Sequence, residues 1–135
     1  MDIYLSVNNR EQVIKLPVVP NEFEVSSPMG SERWQTMNQR ELNLIGVKGL
    51  REISFKSFFP RHDYRFLKDR AYQGWDYIRA LEEWRDRRVP VRLIITDTPI
   101  NLPVTIDAFE YGPKDGSGDI EYSLSMTEYR FPEVR

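Results

Sequence analysis

The sequence predicts a mainly β (α+β) domain, an antiparallel β-sandwich or small barrel with one flanking helix. Three observations carry this. Ile120, Tyr122, Leu124 and Met126 alternate with Glu121, Ser123, Ser125 and Thr127, the period of a strand with one face buried. Across a turn rich in Gly112, Gly116 and Gly118 lies a second alternating run, residues 102–111, so the two form an antiparallel hairpin. Helical spacing is convincing in one place: Tyr77, Ile78, Leu81 and Trp84 share a stripe, while Asp76, Glu82, Glu83, Arg85 and Asp86 fall outside it. A lone amphipathic helix in a strand-rich chain needs a sheet to cover.

The remaining elements follow in order. Ile3, Leu5 and Val7 alternate with Asp2, Tyr4 and Ser6, giving a half-buried strand, and Asn8-Asn9 turns the chain into a second strand over residues 13–16. Pro17 and Pro20 force an extended connection to a third strand, in which Phe23 and Val25 alternate with Glu22, Glu24 and Ser26. Residues 27–31 read as a turn, and residues 33–45 as extended chain broken near Asn38-Gln39-Arg40, with Trp34, Thr36, Leu42 and Leu44 as candidate buried positions. Gly46 and Gly49 flank a short loop before a strand through Ile53 and Phe55 that ends near Ser57. Gly74 and Asp76 suit the helix start, Arg87 and Arg88 complement the negative end of its dipole, and Pro90 stops it. Residues 91–95 are β-branched and apolar, a buried strand. Beyond it, Leu102, Val104, Ile106 and Ala108 alternate with Thr105, Asp107 and Phe109.

Residues 58–73 have aromatics without a period of two or 3.6, and Pro60 opposes both helix and central strand. They read as a long ordered connection pinned by Phe59, Tyr64, Phe66 and Tyr72. Long loops in compact domains often carry function. Phe59 and Phe66 are expected to face the core. Tyr64, Arg65 and Tyr72 are the candidate partner-facing residues, because their polar ends can stay wet before assembly.

Composition narrows the function. A chain of 135 residues is one domain as a prior and can bury a core without staples. There is no cysteine, hence no thiolate chemistry or cysteine-based zinc site. A net charge of −2 opposes a nucleic-acid or anionic-membrane binder. No apolar run approaches the ~20 residues of a membrane span, and the first residues do not read as a signal peptide, so a soluble domain made inside the cell is expected. His62 is the single histidine, in a polar Arg-His-Asp loop, and reads as a solvated side chain. Asp107, Glu110 and Glu121 could form a glycosidase-like pair, but they fall on solvent-facing positions. The glycines lack phosphate-loop spacing. Arg85, Arg87, Arg88 and Arg92 are interleaved with acids and read as a solvated ion-pair face. No catalytic residue, cofactor or metal site is expected. The three Trp, seven Tyr and seven Phe exceed what a small core needs, which points to interfaces.

Several segments together carry a resemblance: Ser-Phe-Phe-Pro at 57–60, Trp-Asp-Tyr-Ile through Glu-Glu-Trp-Arg-Asp at 75–86, the strand pair at 89–111, and the stretch from Gly118 to Val134. The chain resembles the N-terminal domain of LysM-containing tail and baseplate proteins of contractile-tailed phages and PBSX-type defective prophages. Similar domains serve in phage-tail-like bacteriocins. The resemblance implies a tail-tube- or hub-like fold, with residues 1–135 as one structural domain and no LysM module among them. It further implies assembly at the junction of tail tube and baseplate, with tube, hub or wedge proteins as partners. The expected location is a virion or phage-tail-like particle, after synthesis in the bacterial cytoplasm. Nucleic-acid binding and membrane insertion are not expected, and peptidoglycan would be contacted only through a LysM module in a longer form. The alternative is a cell-wall carbohydrate-binding or adhesion module, in which exposed aromatics stack on sugars.

Overall fold

A computed structural model describes residues 1–30, 32–35, 41–113 and 116–131, with the backbone alone described for 32–35 and 41–44. The strands are β1 (Ile3–Val7), β2 (Gln12–Lys15), β3 (Phe23–Ser26), β4 (Glu32–Gln35), β5 (Glu41–Leu44), β6 (Glu52–Phe59), β7 (Val91–Ile95), β8 (Asn101–Pro113) and β9 (Ile120–Glu128). One helix, α1 (Trp75–Arg87), precedes β7. Seven strands form one antiparallel sheet in the order β2-β1-β7-β8-β9-β6-β3, while β4 and β5 make a separate two-stranded ribbon. The β8–β9 hairpin is the longest pairing, from Val104 opposite Glu128 to Pro113 opposite Ile120.

The sheet curls until the chain leaving β2 reaches β6. Val18 lies three residues past β2, yet its carbonyl oxygen accepts a hydrogen bond of 3.1 Å from the Ser57 hydroxyl in β6. In a flat sheet β2 and β6 would be five spacings apart, about 24 Å, whereas three residues reach only about 11 Å. The strands therefore wrap into a nearly closed barrel with a seam between β2 and β6. The helix lies over that seam. Trp84 donates its indole N–H to Gln12 Oε1 of β2 at 3.0 Å, and Tyr77 stacks on Phe59 of β6 at 4.9 Å. The predicted stripe of Tyr77, Ile78, Leu81 and Trp84 is buried, together with Ala80. Arg88 closes the helix in the left-handed region at φ 56, and the chain runs through Pro90 into β7.

The core takes Ile3, Leu5 and Val7 from β1, Val91, Leu93 and Ile95 from β7, and Tyr122, Leu124 and Met126 from β9, every second residue as the alternation requires. The tight β1–β2 turn places Asn8, Asn9 and Arg10 at φ 49, 54 and 69, and asparagine tolerates this region best among residues with a side chain.

Five expectations change. In β8 the register shifts between Ile106 and Ala108. This bulge at Asp107 reverses the faces, so Phe109 is buried and Ala108 exposed. The Asp107 carboxylate accepts hydrogen bonds from the Thr105 and Thr127 hydroxyls. Val25 is exposed, because β3 is a sheet edge with little laid over it. Residues 27–30 form no turn among themselves: Met29 makes an antiparallel bridge with Lys48, the Gly30 N–H reaches the Val47 carbonyl and the Pro28 carbonyl accepts the Gly49 N–H. β6 continues to Phe59, so Phe58 and Phe59 belong to the strand and the connection begins at Pro60. The extended stretch expected over 33–45 is the β4–β5 pair. The expected break at 38–40, and the side chains of Trp34, Thr36, Leu42 and Leu44, lie outside what is described.

Candidate partner-binding surface

The connection from β6 to α1, residues 60–74, is an ordered strap held by side chains more than by backbone. Its first half is tied to the β8–β9 turn. Asp119, buried just ahead of β9, accepts the Arg61 backbone N–H on Oδ1 at 2.8 Å. The other oxygen, Oδ2, accepts the Tyr64 hydroxyl at 2.6 Å. His62 Nε2 donates to the Ser117 carbonyl at 2.6 Å. Gly118 sits at φ +86, close beneath Arg61. The second half is tied to the seam. The Lys68 N–H reaches the Pro17 carbonyl at 2.8 Å, the Lys68 ammonium lies 3.8 Å from Asp2, and the Tyr77 hydroxyl donates to Asp69 at 3.2 Å. Arg70 bridges inside the strap, to the Asp63 carboxylate at 2.6 Å and the Tyr64 carbonyl at 2.9 Å.

Phe58 and Phe59 point to opposite faces, as neighbours in a strand must. Phe59 is fully buried between Tyr77 and Tyr122, with ring centroids 4.9 and 4.1 Å away. Burial pushes the hydroxyl pKa of both tyrosines well above its ordinary value, so both are neutral throughout the physiological range. Phe58 turns outward, where it meets Tyr64 and Phe66 edge-on at 6.3 and 6.2 Å. Tyr64 and Phe66 stack on each other at 5.0 Å. Contrary to expectation, Phe66 is not core-facing: it is 55% exposed.

Of the candidate partner-facing residues, Tyr64 lies in this outer patch, half-buried, and Arg65, between Tyr64 and Phe66 in the chain, is exposed. Tyr72 is elsewhere. It packs on the core, tilts against Tyr77 at 5.3 Å and accepts a hydrogen bond from Gln12 Nε2 at 3.4 Å. Sequence reasoning had Phe58 and Phe66 within the aperiodic connection but chose neither as a contact, with Phe66 expected to face the core, and it missed Asp119. The strand period through Phe59 could have placed Phe58 outside, but nothing in the sequence marks Asp119 as the partner of a loop 55 residues away.

The other polar candidates resolve simply. Of the four arginines read as an ion-pair face, Arg85 pairs with Glu82 at 2.8 Å and Arg87 lies 3.9 Å from Glu11, whereas Arg92 donates to the neutral Asn101 Oδ1 at 2.8 Å. Glu110 and Glu121 lie on the outer sheet face beside a hollow of about 520 Å³ bordered by Lys56, Phe58 and Ser123. Among the described residues no group of three His, Asp or Glu side chains is placed to hold a metal ion, and no helix is long and apolar enough to cross a membrane.

No family model matches the chain. It is 31% identical over 132 residues to the Bacillus subtilis (strain 168) protein YqbP, described as uncharacterized, a match over 96% of this chain and 60% of that protein. The chain thus spans about 60% of that relative's length. Among solved structures it is similar to a chain in the tail of an empty gene transfer agent particle, refined with C6 symmetry, with TM-score 0.63, 18% identity, and coverage of 97% of this chain and 92% of the other. A chain in the virion of the native gene transfer agent particle matches with TM-score 0.61, 14% identity, and coverage of 96% and 92%. A chain in the tube-terminating cap of the anti-feeding prophage matches with TM-score 0.51, 7% identity, and coverage of 95% and 84%. At these identities the shared property is the fold: a curled antiparallel sheet with one helix, found in chains of tail and tube assemblies.

Proposed function

We propose that this chain is a structural assembly component of a contractile phage tail or phage-tail-like particle, acting at the junction of tail tube and baseplate. The observation that carries the proposal is the fold similarity over 97% of the chain to a gene transfer agent tail chain at TM-score 0.63. The outer patch of Phe58, Tyr64 and Phe66, with the exposed Arg65 next to it in the chain, supports it, since aromatics and arginine are the side chains enriched in interface cores. Its partners are then tube, hub or wedge proteins. Residues 1–135 act as one structural unit, and peptidoglycan is reached only where a longer form carries a LysM module. The resemblance to LysM-containing tail proteins of contractile-tailed phages and PBSX-type prophages supports the finer placement. No chemistry is asked of the domain.

The test is to delete its gene from a host that makes such particles and image the products. Separate tubes and baseplates, rejoined when the gene is restored, are expected. Normal particles without this chain overturn the proposal.

One observation favours the carbohydrate-binding alternative: Trp75 and Tyr111 are 40% and 42% exposed and touch each other. Their rings stand 81° apart, however, and offer no flat platform to a sugar face. Retention of the purified domain on peptidoglycan would favour that alternative.

A further inference from the structure

We propose that Asp119 is a positioning residue for the partner-binding patch: its buried carboxylate holds Tyr64, and through Tyr64 the stacked Phe66, in the geometry a tail partner meets. This rests on the reading of that patch as a tail contact.

Asp119 is, among the described residues, the one charged side chain with less than a tenth of its surface exposed. Removing a carboxylate from water is costly unless its oxygens are hydrogen-bonded. Here each oxygen has a donor, Arg61 N–H at 2.8 Å and Tyr64 O–H at 2.6 Å. Both donors belong to the strap, and both lie 55 or more residues away in sequence. Bonds from neutral donors to an ionised acceptor are short and strong. The Asp119 N–H in turn reaches Ser117 Oγ at 3.2 Å, and Ser117 receives His62 on its carbonyl, so the acceptor itself is seated in the turn.

The consequence runs outward through one tyrosine. The inner end of Tyr64 is fixed by the carboxylate, while its ring stacks on Phe66 at 5.0 Å and meets Phe58 edge-on at 6.3 Å. Phe66, the most exposed of the three, rests on Tyr64 and Phe58 alone among the described rings. The Asp119 carboxylate and the Tyr64 hydroxyl, on the inner side, thereby fix the rings of Tyr64 and Phe66 on the outer side. Preorganisation of this kind lowers the ordering cost of binding.

The test uses the full chain with Tyr64→Phe, which keeps the ring and removes only the hydroxyl, and Asp119→Asn, with Phe66→Ala as a reference. Amide hydrogen exchange and incorporation into tail particles are measured for each. Both Tyr64→Phe and Asp119→Asn are expected to speed exchange across residues 61–67 by about tenfold or more, with amides of Leu93 and Leu124 unchanged. Both should lower incorporation, and the double variant should lose no more than Asp119→Asn alone, because the two substitutions remove one interaction. Unchanged exchange in both single variants overturns the proposal. Faster exchange with normal incorporation of Tyr64→Phe, while Phe66→Ala fails to incorporate, overturns the positioning role and leaves the surface standing. Normal incorporation of all the variants, Phe66→Ala included, overturns the surface and this proposal with it. If Asp119→Asn does not fold, Tyr64→Phe alone decides.

Discussion

The β8–β9 hairpin and the strap of residues 60–74 meet at Asp119, but they are held by different means. The hairpin is a backbone ladder from Val104 opposite Glu128 to Pro113 opposite Ile120, with Leu102, Val104, Phe109, Tyr122, Leu124 and Met126 on its buried side. Outside the bulge at Asp107 each rung repeats the last, so no single side chain decides the arrangement there. The strap has few backbone bonds to the sheet, chiefly Lys68 N–H to Pro17, and its two ends are joined to each other by Gly74 N–H to the Pro60 carbonyl. Its place depends on side chains that occur once each: Asp119, Tyr64, Lys68, Asp69 and Tyr77. A ladder spreads stability over equivalent contacts, while a tethered loop concentrates its geometry in a few bonds. Substitutions in the two regions should therefore differ in kind, global unfolding in one case and local release in the other.

The largest effect belongs to the core under both regions. Phe59→Ala removes a ring packed between Tyr77 and Tyr122 with no exposure, and should cost about 3–5 kcal/mol in a denaturant titration. Leu81→Ala, fully buried on the helix, should cost about 2–5 kcal/mol. A loss below about 1 kcal/mol for either would mean the seam is loosely packed and that the core under hairpin and strap does not set their stability.

The contrast also marks what the sequence could reveal. The hairpin, the helix stripe and β7 were legible because burial on one face writes a period into the chain. The exception inside the hairpin was the bulge at Asp107, where one extra residue reversed the faces and sent Ala108 out and Phe109 in. The alternation left sandwich and small barrel open, since the closure depends on Ser57 finding the Val18 carbonyl far along the chain. The strap was legible only as aperiodic. Its tethers are long-range polar pairs with no period to betray them. That is why Tyr64 came out on the outer patch and Arg65 exposed, while Tyr72 turned to the core and Phe66 to solvent.

Gly118 lies where ladder and tether join, and its substitution sharpens the comparison. At φ +86 an added Cβ is strained, and it would lie 3.4 Å from Arg61 Cδ. Gly118→Ala should cost about 1–2 kcal/mol. Amide exchange should rise first at residues 61–67 rather than along β8. Uniform acceleration throughout the hairpin would show that the turn supports the ladder after all.

A smaller effect tests a tether on the ladder's far end. Glu128 accepts hydrogen bonds from the Arg51 side chain and N–H, and these hold its carboxyl pKa below the ordinary value. A carboxyl whose folded pKa is depressed stabilises the fold above its unfolded pKa, and that contribution is lost as pH falls through the folded pKa. Glu128→Gln should therefore cost about 1 kcal/mol or less at pH 7, since the pair is partly solvated. The gap from wild type should close in strongly acidic solution. A gap that persists unchanged at low pH would assign the loss to packing instead of charge.

The smallest stability effect should accompany the largest functional one. Phe66 is 55% exposed and Arg65 is exposed, so neither contributes much to a folded monomer. Tyr64 and Tyr72 are poorer probes, because one holds Asp119 and the other packs on the core. Arg65→Ala with Phe66→Ala should shift the unfolding midpoint by no more than about 0.5 kcal/mol equivalent. If the strap carries a tail partner on this patch, the same double variant should compete poorly with wild type for places in assembled particles, at matched expression. The two measurements separate two reasons for an aromatic to be where it is. A core lid loses stability when truncated and keeps its partners only by staying folded. An interface anchor stays folded and loses its partner, because an exposed ring is desolvated only on binding. Wild-type incorporation would return the patch to the first category, and the strap would then be a seal over the seam and nothing more.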